Sequence, residues 1–232
     1  MTITGEDIVN FIDKLIDKCI MLICIVLALM CLYAMYDSYM IFYHANDSSI
    51  QKYKPTTTEE MQALVETMPD STAWITIDDT NIDYPVMQGI TNNDYLNTDP
   101  YGNYSLSGSI FLDSRNASDF SDPYSLIYGH HMDHGSMFGA LDDYLSRDFF
   151  MAHRTGTLLV KNHEYQIDLF AVVETDAGVD TVFNPVSGED IQTYNYEHAK
   201  YYEPHAEGKL IGLSTCATAG STTRLVVFGI LK

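Results

Sequence analysis

Residues 71–232 are predicted to form a mainly β fold, a closed or nearly closed β-barrel of about eight strands with peripheral helices, behind one apolar N-terminal helix. Three observations predict it. Short β-rich runs recur over ~160 residues with turn residues between them, the pattern of a barrel or sandwich. The apolar fraction of 46% is enough to fill a core. One charge-free apolar run, residues 19–36, precedes them all.

The elements follow in order. The apolar run is about 18 residues of Leu, Ile, Met, Val, Ala, Tyr and Cys, near the lower limit for a helix crossing a ~30 Å hydrocarbon core. Tyr33, Tyr36 and Tyr39 cluster at its far end, as interfacial aromatics do. Lys14 and Lys18 stand before it, while Asp37 and Asp47 follow. The bias of basic residues puts the N-terminus in the cytoplasm and the bulk of the chain outside. A cleaved signal peptide is the competing reading, but the run exceeds a usual apolar core and no clear small-x-small site follows it. The expected organisation is therefore residues 1–18 cytoplasmic, 19–40 a retained anchor in the cell membrane, 41–70 a stalk and helix, and 71–232 an extracellular catalytic domain.

Residues 44–58 are polar and lead into a helix. Thr57 with Glu60 has the form of a capping box. Met61, Leu64, Val65 and Met68 then repeat on one helical face, so this helix packs on the outside of the domain. Strands are expected at 73–77, 83–87, 109–112, 125–128, 157–160, 165–173, 210–215 and 225–231. Two helical insertions interrupt them. One spans about 137–151, with Phe138, Leu141, Leu145 and Phe149 on a stripe; the other spans about 189–202. There is no internal repeat and no low-complexity tract.

Composition narrows function. With 12 basic and 32 acidic side chains the net charge is −20, so no basic patch serves a polyanion and nucleic acid is excluded as a partner. Cys19, Cys24 and Cys31 fall inside the anchor, leaving Cys216 as the single exported thiol, which has no partner for an internal disulfide. It is either a buried bystander or a reactive group.

Its surroundings favour reactivity. A β-rich run ends in Leu213-Ser214-Thr215-Cys216, a segment of small residues follows, and Arg224 opens the last apolar run. Tyr128-Gly129-His130-His131 closes an earlier strand. A thiol is nucleophilic as thiolate, and at a pKa near ~8.5 few are ionised at neutral pH. An imidazole can hold the proton and deliver it to a leaving amine, and a guanidinium can meet the charge on an attacked carbonyl. Thiol, imidazole and guanidinium are the minimum set for acyl transfer through a thioester. A metal site at His130, His131 and His134 is the rival reading; adjacent residues on an extended segment point to opposite faces, which argues against it.

These motifs carry a resemblance. Leu213 to Cys216 with Arg224, Tyr128-Gly129-His130-His131-Met132 and Gly135-Ser136-Met137-Phe138 together resemble the sortases. Ala140-Leu141-Asp142-Asp143-Tyr144-Leu145 points to class B, as does Asp94-Tyr95-Leu96-Asn97 leading through Gly102 to Gly108-Ser109-Ile110-Phe111-Leu112-Asp113. The resemblance runs from about Trp74 to Leu231. It implies a sortase β-barrel with N-terminal helices and a helix before the cysteine strand. It further implies a membrane-anchored transpeptidase of the Gram-positive envelope that uses no metal or cofactor. Such an enzyme cleaves a C-terminal sorting signal, x-Pro-x-Thr-Gly or x-Pro-x-Thr-Asn, after threonine, and passes the acyl group to an amine of peptidoglycan or a pilin lysine. Carried over by residue, Cys216 is the nucleophile, His130 the general acid/base and Arg224 the oxyanion or substrate clamp. Asn92, Leu96, Tyr128 and Ser214 match positions lining the signal groove, and His131 is a neighbour without a chemical step. Ala217 and Thr218 stand where some relatives carry an acidic residue. A plain cysteine peptidase, and a binding domain with a vestigial thiol, remain the other function classes.

Overall fold

The computed structural model describes residues 5–45, 48–132, 135–187, 190–215 and 222–232. Cys216 and His134 lie outside the described residues. The chain divides into two compact units, residues 1–43 and 44–232.

The first unit is a helix, α1 (Gly5–Ala45). Its stretch Asn10–Met40 is long and apolar enough to cross a membrane. At 1.5 Å per residue those 31 residues reach about 46 Å, more than a hydrocarbon core requires. The helix extends beyond both limits of the anchor expected at 19–40.

The second unit is a barrel. Its strands are β1 (Ser71–Ile77), β2 (Asp83–Met87), β3 (Ile110–Leu112), β4 (Tyr124–Gly129), β5 (Thr155–Val160), β6 (His163–Asp176), β7 (Tyr201–Tyr202), β8 (Lys209–Thr215) and β9 (Thr223–Leu231). Hydrogen bonding runs β5-β1-β2-β3-β4-β8-β9-β6, and β5 also pairs with β6, so eight strands close the ring. The two-residue β7 adds to β6 outside it. Two neighbouring pairs, β2/β3 and β4/β8, are parallel and the rest antiparallel. A parallel pair needs a long crossover. Residues 88–109 supply one, and everything between β4 and β8 supplies the other.

The long apolar runs of the strands follow from burial on both faces. On β9, Leu225, Val227 and Leu231 join the barrel interior, while Val226, Phe228 and Ile230 join an outer cluster with Tyr124, Phe170 and Val182. Helix α4 (Asp180–Phe183) and helix α5 (Ile191–His198) contribute Val182 and Ile191 to that outer cluster. A third cluster lies under α2 (Thr58–Thr67), where Met61, Leu64 and Met68 meet Trp74, Tyr95 and Phe111. Thr57 caps α2 by accepting the Glu60 N–H at 3.2 Å. The Glu60 carboxylate returns to Thr56 N and Oγ1, one residue earlier than a standard capping box.

Three local expectations are revised. The helix expected over 137–151 is a 3-10 helix, Phe138–Leu145, followed by α3 (Arg147–Ala152). Ser146 between them is extended, and its hydroxyl caps α3. The helix expected over 189–202 stops at His198, because Ala199 turns extended and Tyr201 and Tyr202 pair with Val172 and Ala171. Within the polar segment 44–58, Ser48–Tyr53 is a 3-10 helix. It is clipped to the barrel beside it by Gln51 Nε2 on Asp83 O and Lys54 Nζ on Asp83 Oδ2.

Candidate active site

Parallel pairing of β4 with β8 sets the centre of the site. Tyr128 lies opposite Ser214 and Gly129 opposite Thr215. The residues just before His130 and Cys216 in the chain are thus neighbours across one ladder, and both strands point to the same rim. Gly129 is required there. A Cβ on it would come within 2.4 Å of Ile110 Cδ1 and 2.7 Å of Phe138 Cγ. Antiparallel pairing of β8 with β9 returns the chain to the rim, where Thr215 Oγ1 accepts the Leu225 N–H at 3.1 Å, one residue after Arg224.

A cleft of about 440 Å³ opens at this rim. His130, Arg224, Asn92, Leu96 and Tyr128 all line it. Ser214 does not: it is fully buried beneath, its hydroxyl on Thr215 O at 3.2 Å, and Thr215 forms the surface instead. Asn93, Phe111, Ala177 and Phe183 also line the cleft and were not singled out in the sequence. Phe111 carried a signal, as part of the Ile110-Phe111-Leu112-Asp113 run. Ala177 and Phe183 carried none, since nothing local marks the segment after β6 as facing β4.

The His130 ring is held by Nε2 against the Leu96 carbonyl at 2.5 Å. A carbonyl only accepts, so Nε2 carries the proton and Nδ1 is the ring atom left to exchange one. His131 does not line the cleft, and its Nε2 meets Asp142 Oδ2 at 2.7 Å. Arg224 is the second residue of β9, across from Thr175, with Nη1 on Thr223 O at 3.2 Å. The Asp176 carboxyl nearby is held below its ordinary range by the Thr222 hydroxyl first, then the Gly178 N–H, with Arg224 adding to both.

Beneath the cleft lies a carboxylate that the sequence did not mark out. Asp113, at the end of β3, is wholly buried. Its Oδ1 accepts Arg115 N (2.9 Å) and Nε (2.8 Å). Its Oδ2 accepts Arg115 Nη2 (2.7 Å), Asn92 Nδ2 (2.9 Å) and Tyr128 Oη (3.0 Å). Burial alone would raise this carboxyl, but the Arg115 and Asn92 hydrogen bonds outweigh it and hold the group below the usual aspartate range. Among the described residues, no cluster of His, Cys, Asp and Glu forms a cation site.

An imidazole with Nδ1 available and a guanidinium on one cleft, beside the end of the strand that leads into Cys216, suit acyl transfer. Comparison with known proteins places the chain. The family model described as the sortase domain matches residues 75–232. Sortase B of Listeria monocytogenes is 32% identical over 182 residues, 75% of this chain and 74% of that protein. Sortase B of Staphylococcus aureus is 31% identical over 189 residues, 77% of each. Among solved structures, a Streptococcus pyogenes class B sortase involved in pilus biogenesis superposes with a TM-score of 0.69 at 36% identity, covering 74% of this chain and 97% of that one. The S. aureus sortase B–substrate complex gives 0.70 at 26% identity, covering 88% and 98%. The eight-strand ring, the β4–β8 register and these matches lead to one assignment: the chain belongs to the sortase family of cysteine transpeptidases, in class B.

Proposed function

We propose that this chain is a membrane-anchored sortase that cleaves a C-terminal sorting signal after threonine and transfers the acyl group to an amine of peptidoglycan. The observation that carries the reading is the β4–β8 register, which sets Gly129 beside Thr215, together with His130 and Arg224 on one cleft. The Cys216 thiolate attacks the threonine carbonyl carbon, and the oxyanion that forms is met by the Arg224 guanidinium. The scissile C–N bond breaks as His130 gives its proton to the departing amine. An acceptor amine then attacks the thioester, loses a proton to His130, and the thiolate leaves. Asn92, Leu96 and Tyr128 line the groove for the signal, with Ser214 supporting Thr215 from below. Helix α1 is the anchor, with the N-terminus cytoplasmic and residues 71–232 outside.

A second reading, transfer to a pilin lysine, draws support from the 36% identity to a class B sortase involved in pilus biogenesis. Both readings share the first half-reaction. Incubating the protein with a library of sorting-signal pentapeptides and candidate amines tests them. Wild type should ligate peptide to amine in preference to releasing free acid, and Cys216→Ala should lower turnover at least 10³-fold. Free acid as the dominant product would make it a plain peptidase, and turnover by C216A would reject the nucleophile.

A further inference from the structure

Asp113 is a costly group to keep. A buried charge contributes to stability only when its partners repay desolvation, and a well-packed apolar group often does as well. Here five donors converge on one carboxylate, which offers about four lone-pair sites. Two of the donors, Asn92 and Tyr128, line the cleft. The third partner, Arg115, continues outward: Nη2 also donates to Phe183 O at 2.5 Å and Nη1 to Asn184 Oδ1 at 3.2 Å. Phe183 lines the cleft as well.

The segments tied this way lack a ladder of their own. Asn92 sits on the crossover between β2 and β3, and Phe183 ends a four-residue helix. Backbone outside strands takes its position from turns and side-chain bonds. The Asn92 amide is fixed at both ends, with Nδ2 on Asp113 and Oδ1 accepting the Ser114 N–H at 2.7 Å. One N–H and one Oδ1 lone pair remain to meet a ligand, each with its direction already set.

We propose that Asp113 and Arg115 form a positioning brace: one ion pair that fixes lining residues from the β2–β3 crossover, β4 and the end of α4, and thereby sets affinity for the extended peptide. The inference rests on the sorting-signal reading above. Neither residue touches the reacting atoms. Loss of the brace therefore appears mainly in KM, the signature of lost substrate binding, with kcat affected less.

The test uses Asp113→Asn/Arg115→Gln in the full chain, since the single D113N would strand a cation and lower stability for that reason alone. Folding is verified by circular dichroism and melting. The double variant should bind signal peptide with KM raised about tenfold or more. Its Cys216 should be alkylated by iodoacetamide at the wild-type rate within twofold. Hydrogen exchange should quicken at residues 92–94 and 182–184 together. A folded double variant with KM within twofold of wild type overturns the brace. So does a matching fall in alkylation rate, which would put the effect on the nucleophile, or exchange that quickens at neither segment. Should the double variant not fold, Arg115→Lys, which keeps the charge and loses the fork, is held to the same KM and exchange criteria. If wild type itself cleaves no signal peptide, the functional reading fails, while exchange still decides whether the brace holds the two segments.

Discussion

Two parts of the cleft are built by different means. His130 and Arg224 stand at ends of strands whose register is fixed by backbone pairing through β4, β8, β9 and β6. Asn92 and Phe183 stand on connections, and side-chain hydrogen bonds to Asp113 and Arg115 hold them. A ladder spreads the load over many bonds, each worth about 1 kcal/mol net, so no single side chain decides where His130 or Arg224 sits. A connection held by a few side-chain contacts has less redundancy: Asn92 rests on Asp113 and Ser114, and Phe183 on Arg115, with Tyr124 Oη on the carbonyl of buried Val182 beside it. The difference predicts that the chemistry tolerates side-chain change around it far better than the binding surface does.

The sharpest way to break the comparison is to remove the carboxylate. Asp113→Ala leaves Asn92, Tyr128 and Arg115 donors stranded beside a buried gap. Breaking a buried pair costs about 3–5 kcal/mol, and because the Arg115 side chain is 40% exposed water returns part of that, leaving about 3 kcal/mol in denaturant melts. The charge also makes the effect pH-dependent. The Asp113 carboxyl lies below its ordinary value in the folded protein, with the Arg115 and Asn92 hydrogen bonds overcoming burial. Its contribution is whole above the unfolded value of about 4 and is lost as pH falls through the lower folded value. Melting of wild type and Asp113→Asn between pH 7 and pH 2 should show a gap that is constant at the upper end and closes at the lower. A gap independent of pH would mean the carboxylate is not what holds the crossover.

The same difference explains what could be read in the sequence. Strand runs declare themselves by composition, so all eight barrel strands were legible, each to within three residues of its ends. His130 and Arg224 were legible because each adjoins a strand end with a recognisable motif. Ser214 was placed on the groove surface; its side chain shares a face with Tyr128 and Val226, its partners across the two ladders, yet is fully buried among its neighbours. Asp113 and Arg115 were not legible as a pair with a purpose. An acidic residue two positions before a basic one is commonplace, and only folding brings Asn92 and Phe183 to them. The 3-10 helix at 138–145 was hidden for a related reason: apolar spacing of three and four serves an α-helix and a 3-10 turn alike. Two-residue β7 is too short to carry any period.

A milder test strikes the ladder side. Gly129→Ala adds a methyl 2.4 Å from Ile110 Cδ1 and 2.7 Å from the fully buried Phe138 ring. The isoleucine end can yield, but the ring is locked among core side chains, so overpacking should cost about 2 kcal/mol. Because the displaced residue adjoins His130, kcat/KM for a signal peptide should fall about tenfold with kcat carrying most of it, the opposite split to that of the brace. Unchanged kcat with raised KM would show that the two sides of the cleft are not separate.

The smallest effect is expected from Thr57→Ala, which sharpens the comparison by acting on neither side directly. The cap it removes, the Thr57 hydroxyl on Glu60 N, is worth about 1 kcal/mol, and the loss should appear as a lower melting temperature. Helix α2 nevertheless buries Met61 and Leu64, and Met68 at its C-cap, in the cluster that contains Phe111 and touches Leu96 and Tyr128. If apolar packing from beneath positioned the crossover, loosening α2 would raise KM along with the stability loss. If Asp113 positions it, KM stays within twofold of wild type while stability falls, because hydrogen bonds at 2.7–3.0 Å to a fixed carboxylate are directional where apolar contact is not.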